Sequence, residues 1–171
     1  VKNVKAGNEE VAVNNCCTNL YTSTPIINNE MVNRNVIGTS QTKKARINII
    51  QAILSHADTP EFYAGSNQEA TVYRALFEVT GITKNSTRED IKLILEEIND
   101  FVTACSDKKV KLANLIQRLT HAPYGMRIGV LPFYVAYVLA NRREDIIVYF
   151  SDKEMQLTPD IIVNMCETPE D

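Results

Sequence analysis

The sequence predicts a mainly α-helical protein, with an N-terminal helical lobe at residues 1–85 and a winged helix-turn-helix-like lobe at residues 86–171 that carries a small β-hairpin. Three observations predict this fold class. Apolar residues recur at steps of three and four along several segments, which is the period of amphipathic helices. The stretch 128–141 is apolar on nearly all sides, as in a buried helix. A β-branched and aromatic run at 146–150 precedes a polar turn and a second short run, which is typical of a hairpin.

The first lobe begins with polar residues and a predicted helix at 9–21. Glu9 and Glu10 favour its start because acidic side chains stabilise the positive end of a helix. Pro25 stops it, since the residue before a proline is disfavoured in the helical region. The run 28–30 (NNE) predicts the cap and first turn of a short second helix that carries Met31.

Two longer helices are expected in the rest of this lobe. Thr39 or Ser40 should cap the first, which ends near His56. The second spans 69–80 and is closed by Gly81, a residue common just after helix ends.

The polar stretch 83–87 is the predicted junction between the lobes. Ser86 and Thr87 each stand three residues before an acidic residue, which is the capping-box pattern of a helix start. The helix that follows, to residue 104, has the clearest amphipathic period in the chain.

The second lobe continues with helices at 111–121 and 127–142, separated by a tight turn at 122–125. The hairpin comes next, and Thr158 should start a closing helix in front of Pro159. Three helices followed by a hairpin are the order of a winged helix-turn-helix unit.

Composition narrows the function classes. Of 171 residues, 44% are hydrophobic and 23% charged, with only 6 Gly, 6 Pro and 4 Cys. These values exclude collagen-like, disordered and disulfide-stapled chains. A formal net charge of −3 also argues against a surface built as a whole to hold phosphate backbones, although it permits a local nucleic-acid site.

The sequence indicates a cytoplasmic fragment of a longer protein. It begins at Val1 and shows no signal-peptide pattern. The longest apolar stretch is interrupted by Gly129 and Pro132 and is too short to cross a bilayer, so no membrane contact is expected. Four cysteines in no zinc or redox spacing predict buried, reduced thiols; they are Cys16, Cys17, Cys105 and Cys166.

No pattern of an enzyme is present, so the chain is expected to be non-catalytic, with no cofactor and no metal. His56 and His121 lie in no recognisable catalytic arrangement. No glycine-rich phosphate loop occurs. Glu96, Glu97 and Asp100 are expected on the solvated face of their helix rather than around a metal.

Basic and aromatic residues supply the candidate contacts to nucleic acid or to a partner. The helix in the position of a DNA-reading helix is mostly apolar, so it should form the core instead. Two readings stay open for the candidates: a phosphate or acidic partner on one side, and solvated faces, a packed tyrosine anchor and internal ion pairs on the other. The candidates are Lys43, Lys44 and Arg46, expected together on the outer face of one helix, with Tyr124, Arg127, Arg142 and Arg143.

Four phrases in order carry a resemblance to a known family: 24–33 (TPIINNEMVN), 68–76 (QEATVYRAL), 123–132 (PYGMRIGVLP) and 157–160 (LTPD). They resemble a helical and winged-helix region of large bacterial P-loop ATPases associated with phage-resistance and restriction-type loci. The resemblance implies a role in a DNA-directed defence assembly and transfers no catalytic residue. The sequence thus predicts a non-catalytic interaction or regulatory module that contacts other domains of its parent protein or protein partners. The alternative is a winged-helix module that binds DNA directly.

Overall fold

The computed structural model describes residues 9–55, 64–84, 86–106 and 108–169. It is mainly helical with a small antiparallel hairpin near the C-terminus, which confirms the predicted fold class. The predicted helix end at His56 lies outside the described residues. The helices are α1 (Glu9–Leu20), α2 (Ser40–Leu54), α3 (Gln68–Tyr73), α4 (Glu89–Ala104), α5 (Ala113–Thr120), α6 (Leu131–Asn141) and α7 (Pro159–Glu167), and the strands are β1 (Val148–Phe150) and β2 (Lys153–Met155).

Helix α6 is the centre of the molecule. Nine of its eleven residues are buried, and it packs against α2, α4 and α7. The prediction of a buried apolar helix is therefore confirmed. The helix is shorter than predicted, because residues 128–130 form a turn in which the N–H of Gly129 donates to the carbonyl of Arg34 at 2.8 Å.

The hydrophobic core is continuous across the predicted junction. Ile49 and Ile50 of α2 belong to the same buried cluster as Ile94 of α4 and Leu131 of α6. The division into lobes at 1–85 and 86–171 stays a prediction.

The segment before α2 is a loop, so the predicted short helix at 28–32 is wrong. The Asn29 side chain accepts a hydrogen bond from the N–H of Met31 at 3.1 Å, and Asn33 Nδ2 donates to the carbonyl of Ile27 at 3.1 Å. Asparagine side chains bonded to nearby backbone in this way compete with helix formation. The polar run 28–30 therefore begins a turn, as its residues favour, but no helix directly follows that turn.

The start of α4 is built by an ion pair and not by the predicted capping boxes. Arg88 stands at the cap position with no side-chain cap bond, and its guanidinium binds the carboxylate of Asp90. Asp90 Oδ2 accepts from the N–H of Ile26 at 3.2 Å, and Arg88 Nη2 donates to the Ile26 carbonyl at 3.0 Å. The pair thereby clamps the backbone of the N-terminal loop to α4.

Helix α3 begins at Gln68, one residue before the predicted start. Its cap is Asn67, whose side chain accepts a hydrogen bond from the N–H of Ala70 at 2.8 Å. It passes into a π-helical segment, Arg74–Glu78, instead of continuing as an α-helix. The carbonyl of Leu76 in this segment accepts from Thr80 Oγ1 at 2.6 Å and from the Tyr134 hydroxyl at 3.2 Å. A long-range bond to α6 thus accompanies the change of helix type, which sequence periodicity does not encode.

The hairpin forms where the sequence predicts it, although its second strand includes Lys153 and Glu154, which were expected in the turn before a strand at 155–157. Thr39 caps α2 and Thr158 caps α7, as predicted. Strands β1 and β2 pair antiparallel through a turn in which Ser151 and Asp152 both have positive φ. No helix among the described residues has the length and apolar content needed to cross a membrane.

Candidate interaction cleft

The third helix of the predicted winged-helix order, α6, has nine of its eleven residues buried and so offers little surface to DNA. A reading helix must present polar side chains to base edges, whereas Leu131, Phe133 and Tyr134 of α6 are fully buried. Any contact site must therefore come from other elements.

The basic group on α2 is divided between surface and core. Lys43 and Lys44 are exposed. Arg46 is only 3% exposed, and its Nη1 lies 2.6 Å from Glu167 Oε1 on α7. The expected outer face was wrong for Arg46, because Arg46 shares a helix face with the buried residues Thr42 and Ile49. That spacing of four and three residues was the signal available in the sequence.

Tyr124 is a packed anchor. Its hydroxyl donates to Glu97 Oε2 at 3.2 Å, and Arg118 Nη1 lies 2.7 Å from the other oxygen of Glu97. Burial, followed by the nearby charge of Glu97, raises the pKa of the tyrosine. Glu97, which was expected on the solvated face of its helix, is half-buried. These three side chains connect α4, α5 and the turn after α5.

The two arginines after α6 also contact neighbouring helices. Arg142 Nη1 donates to Thr103 Oγ1 at 2.7 Å and to Asn99 Oδ1 at 3.2 Å. Arg143 Nη1 donates to the carbonyl of Leu54 at 3.3 Å, at the end of α2. A cation there stabilises the negative end of the helix.

Arg127 is the predicted contact residue that faces a cleft. The side chain is exposed and lines an open cleft of about 930 Å³. The cleft lies between the end of α1, the helix α5 and the turn that leads to α6. Its walls include Tyr21, Asn35, Lys111, Asn114, Gln117 and Arg127.

The PYGMRIG phrase forms one wall of the cleft by seating the N-terminal chain. The N–H of Ser23 donates to the carbonyl of Pro123 at 3.1 Å. A Cβ on Gly125, where φ is +60°, would lie 2.7 Å from the Tyr21 ring, and a Cβ on Gly129 would lie 2.5 Å from the carbonyl oxygen of Val32. Only glycine permits such close approach.

The cleft has a one-sided charge. Among the residues that the structure describes, none that lines the cleft is Asp or Glu. Within the part of the chain that the structure describes, Lys111 and Arg127 have no carboxylate within ion-pair distance. His121 Nδ1 lies 2.8 Å from the carbonyl of Gln117, so its ring is held at the end of α5. Sequence reasoning missed Lys111 as a contact candidate, because nothing local indicates that Lys111 and Arg127 share a cleft.

Helix α1 borders the cleft and is exposed along its whole length, with no buried residue. Its apolar positions Val13, Cys16, Cys17 and Leu20 follow the spacing of one helix face. Val13 is 60% exposed and Leu20 54%. We call these four residues the α1 stripe.

The cysteine prediction was wrong for Cys16 and Cys17, which are both exposed. Cys105 is half-buried, and Cys166 is fully buried as predicted. Burial raises the pKa of the Cys166 thiol well above its usual range. The error has a simple cause: apolar residues at helical spacing indicate a face that suits burial, and they do not show that another element covers it.

Within the described residues, no group of three or more His, Cys, Asp or Glu side chains could hold a metal ion. Comparison of the chain with protein-family models, with curated proteins and with solved structures finds no match.

Proposed function

We propose that this chain is a non-catalytic interaction module of a larger protein in the bacterial cytoplasm, and that it contacts a protein partner through the α1 stripe. The observation that carries the proposal is the exposure of this apolar stripe on a helix that has no buried residue. An amphipathic helix with a free apolar face is a common element for docking into the groove of a partner.

The proposed parent is a P-loop ATPase of a phage-resistance or restriction-type locus. The four phrases that resemble this family support the proposal. Two of them form ordered junctions of the fold: the loop that the Arg88–Asp90 pair clamps, and the glycine-containing turn before α6. On this proposal the partner is another domain of the parent or a second protein of the same assembly.

Site-specific photo-crosslinking in the native cell tests the proposal. A photoreactive amino acid replaces Val13 in the full-length parent protein, and Lys153 on the exposed hairpin is the matched control position. We expect a defined adduct from position 13, to another domain or another protein, and none of the same mass from position 153. Purified partner should then bind Val13→Asp several-fold more weakly than wild type, because a charge on the stripe must be desolvated on docking.

The absence of any adduct specific to position 13 contradicts the proposal. Equal affinity of the partner for wild type and Val13→Asp contradicts it as well. Because Val13 has no buried contacts, the substitution leaves the core intact, and circular dichroism verifies this.

Direct DNA binding is the second candidate, and the exposure of Lys43 and Lys44 favours it. Within the described residues neither lysine forms an ion pair. Affinity for duplex DNA that falls steeply with salt, and that Lys43→Ala with Lys44→Ala abolishes, would establish this candidate. On the interaction proposal, no binding is expected at low salt.

A further inference from the structure

We propose that the cleft between α1 and α5 binds an extended acidic segment of a partner protein. The inference rests on the proposed interaction function and gives it an adjoining surface, which shares Cys17 with the α1 stripe and has a stated partner chemistry.

The charges of the cleft favour a carboxylate-bearing ligand. Lys111 and Arg127 approach it from two different elements, the start of α5 and the turn before α6. None of the lining residues in the described ranges carries a negative charge, although the whole chain has a formal net charge of −3. Lys111 and Arg127, which have no carboxylate partner among the described residues, complement acidic side chains spaced along a peptide.

The start of α5 adds to this preference. Helix α5 has no acidic residue in its first turn and no side-chain cap bond at Leu112. Ala113 and Asn114 at this start line the cleft. The N–H of Asn114 already donates to the carbonyl of Lys111 at 3.2 Å, so this start contributes through the positive end of the helix dipole, which acts in the same direction as Lys111.

The neutral groups of the cleft suit a peptide. Asn35, Asn114 and Gln117 provide amide donors and acceptors for a peptide backbone. Ile116 and Met126 also line the cleft, although both are largely buried. They give it an apolar floor on which side chains between the acidic positions can pack.

A nucleic acid fits this cleft less well. Its backbone carries a charge at each nucleotide and is held by rows of cations, whereas the cleft offers Lys111 and Arg127 as its permanent positive charges. Helix α6, which would read bases in a winged-helix module, is buried. We therefore assign the cleft to an acidic protein segment.

Fluorescence anisotropy on the full 171-residue chain tests the assignment. The probe is a labelled short peptide of alternating Glu and Leu, compared with the same peptide in which Gln replaces Glu and with single-stranded and duplex oligonucleotides. Arg127→Gln and Lys111→Gln are the cleft variants. Lys43→Gln is the matched control, because Lys43 is equally exposed but does not line the cleft.

We expect the acidic peptide to bind more tightly than its Gln counterpart and more tightly than either oligonucleotide. Each cleft variant should weaken binding about fivefold, as for the loss of one partly exposed ionic contact, and Lys43→Gln should leave it unchanged. The proposal is overturned by any of three results: no binding of the acidic peptide, equal binding of both peptides, or tighter binding of an oligonucleotide.

The result separates this inference from the proposed function. Loss of peptide binding in the cleft variants with Val13→Asp unaffected supports the assignment to the cleft. Failure of the acidic peptide to bind, while position 13 still gives its specific crosslink, overturns the cleft inference alone. Peptide binding without any crosslink from position 13 overturns the α1 proposal alone.

Discussion

Helices α1 and α6 are of similar length and both carry apolar residues, yet their environments are opposite. Nine of eleven residues in α6 are buried, and none of the twelve in α1 is. Helix α6 is apolar around its whole circumference, so it is stable only when other helices surround it. In α1 the apolar stripe lies beside the polar residues Asn14, Asn15, Thr18 and Asn19, which are all exposed.

The spacing of apolar residues thus identifies one face of a helix. Whether the helix must be buried depends on the residues around the rest of its circumference. A stripe is compatible with a core position, with a partner interface or with exposure. A fully apolar helix is compatible only with burial. The burial of α6 could therefore be predicted from its sequence alone. The environment of α1 could not, because it depends on which other elements pack beside it.

The largest expected loss of stability comes from a substitution in the buried helix α6. Phe133 is fully buried, so Phe133→Ala should lower the free energy of unfolding by about 3 to 5 kcal/mol through lost burial and a cavity. Val13→Ala on α1 is the control and should change it by less than about 0.5 kcal/mol. Urea denaturation followed by circular dichroism measures both. Similar losses for the two variants would show that α1 is packed in solution.

The sequence predicted the helices well because periodicity and caps are local. Thr39 and Thr158 act as caps because a hydroxyl needs only a backbone N–H three residues away. The clamp at α4 was missed for the opposite reason. Asp90 binds a backbone group 64 residues away, and no local pattern contains that partner.

The next effect concerns the turn that seats the N-terminal chain in front of α6. A Cβ on Gly129 would lie 2.5 Å from the carbonyl oxygen of Val32 and 2.7 Å from that of Arg34, and both contacts are to backbone. Gly129→Ala should therefore destabilise the protein by about 1 to 3 kcal/mol, as for overpacking in a core. Gly38→Ala is the matched control, because a Cβ there meets nothing within 4 Å. Thermal unfolding of both variants decides the point, and equal midpoints would mean that the close approach is not present in solution.

The candidate cleft could be predicted only in part. Arg127 was among the basic residues predicted as contacts, and it does line the cleft. Arg46 was misplaced although its spacing from Thr42 and Ile49 indicates the buried face, and its partner Glu167, 121 residues away, has no local signal. The cleft assembles from α1, α5 and the turn before α6, so its charge balance becomes visible only once the fold brings those distant segments together.

A smaller, pH-dependent effect comes from the clamp between the N-terminal loop and α4. Burial alone would raise the pKa of Asp90, but the hydrogen bonds from Arg88 and from the N–H of Ile26 lower it below the usual value. A carboxylate with a depressed folded-state pKa stabilises the fold above its unfolded pKa and loses that contribution as the pH falls through the folded value.

Asp90→Asn should accordingly be less stable than wild type at pH 6 by about 1 kcal/mol or less, because the pair is partly solvated. The difference should shrink as the pH falls below about 4, the usual range of an aspartate. Denaturant titrations between these pH values measure it, with Asp160→Asn at an exposed helix start as the control. A difference that stays constant over this range would contradict the ionic role of Asp90.

Substitution of the exposed thiols should have the smallest effect on stability. The reactivity of the cysteines should, however, differ strongly between the exposed helix α1 and the buried side of α7. Cys16 and Cys17 on α1 are exposed, whereas Cys166 on α7 is buried with a raised pKa. Because the thiolate is the reactive form and needs access, an aromatic disulfide reagent should modify the first two rapidly in the native protein, Cys105 more slowly, and Cys166 only after unfolding. Cys16→Ser with Cys17→Ser should remove the fast phase and leave the unfolding midpoint unchanged. A slow reaction of Cys16 and Cys17 that is limited by unfolding would instead show that the α1 stripe is covered in solution, so that α1 would be a buried helix like α6.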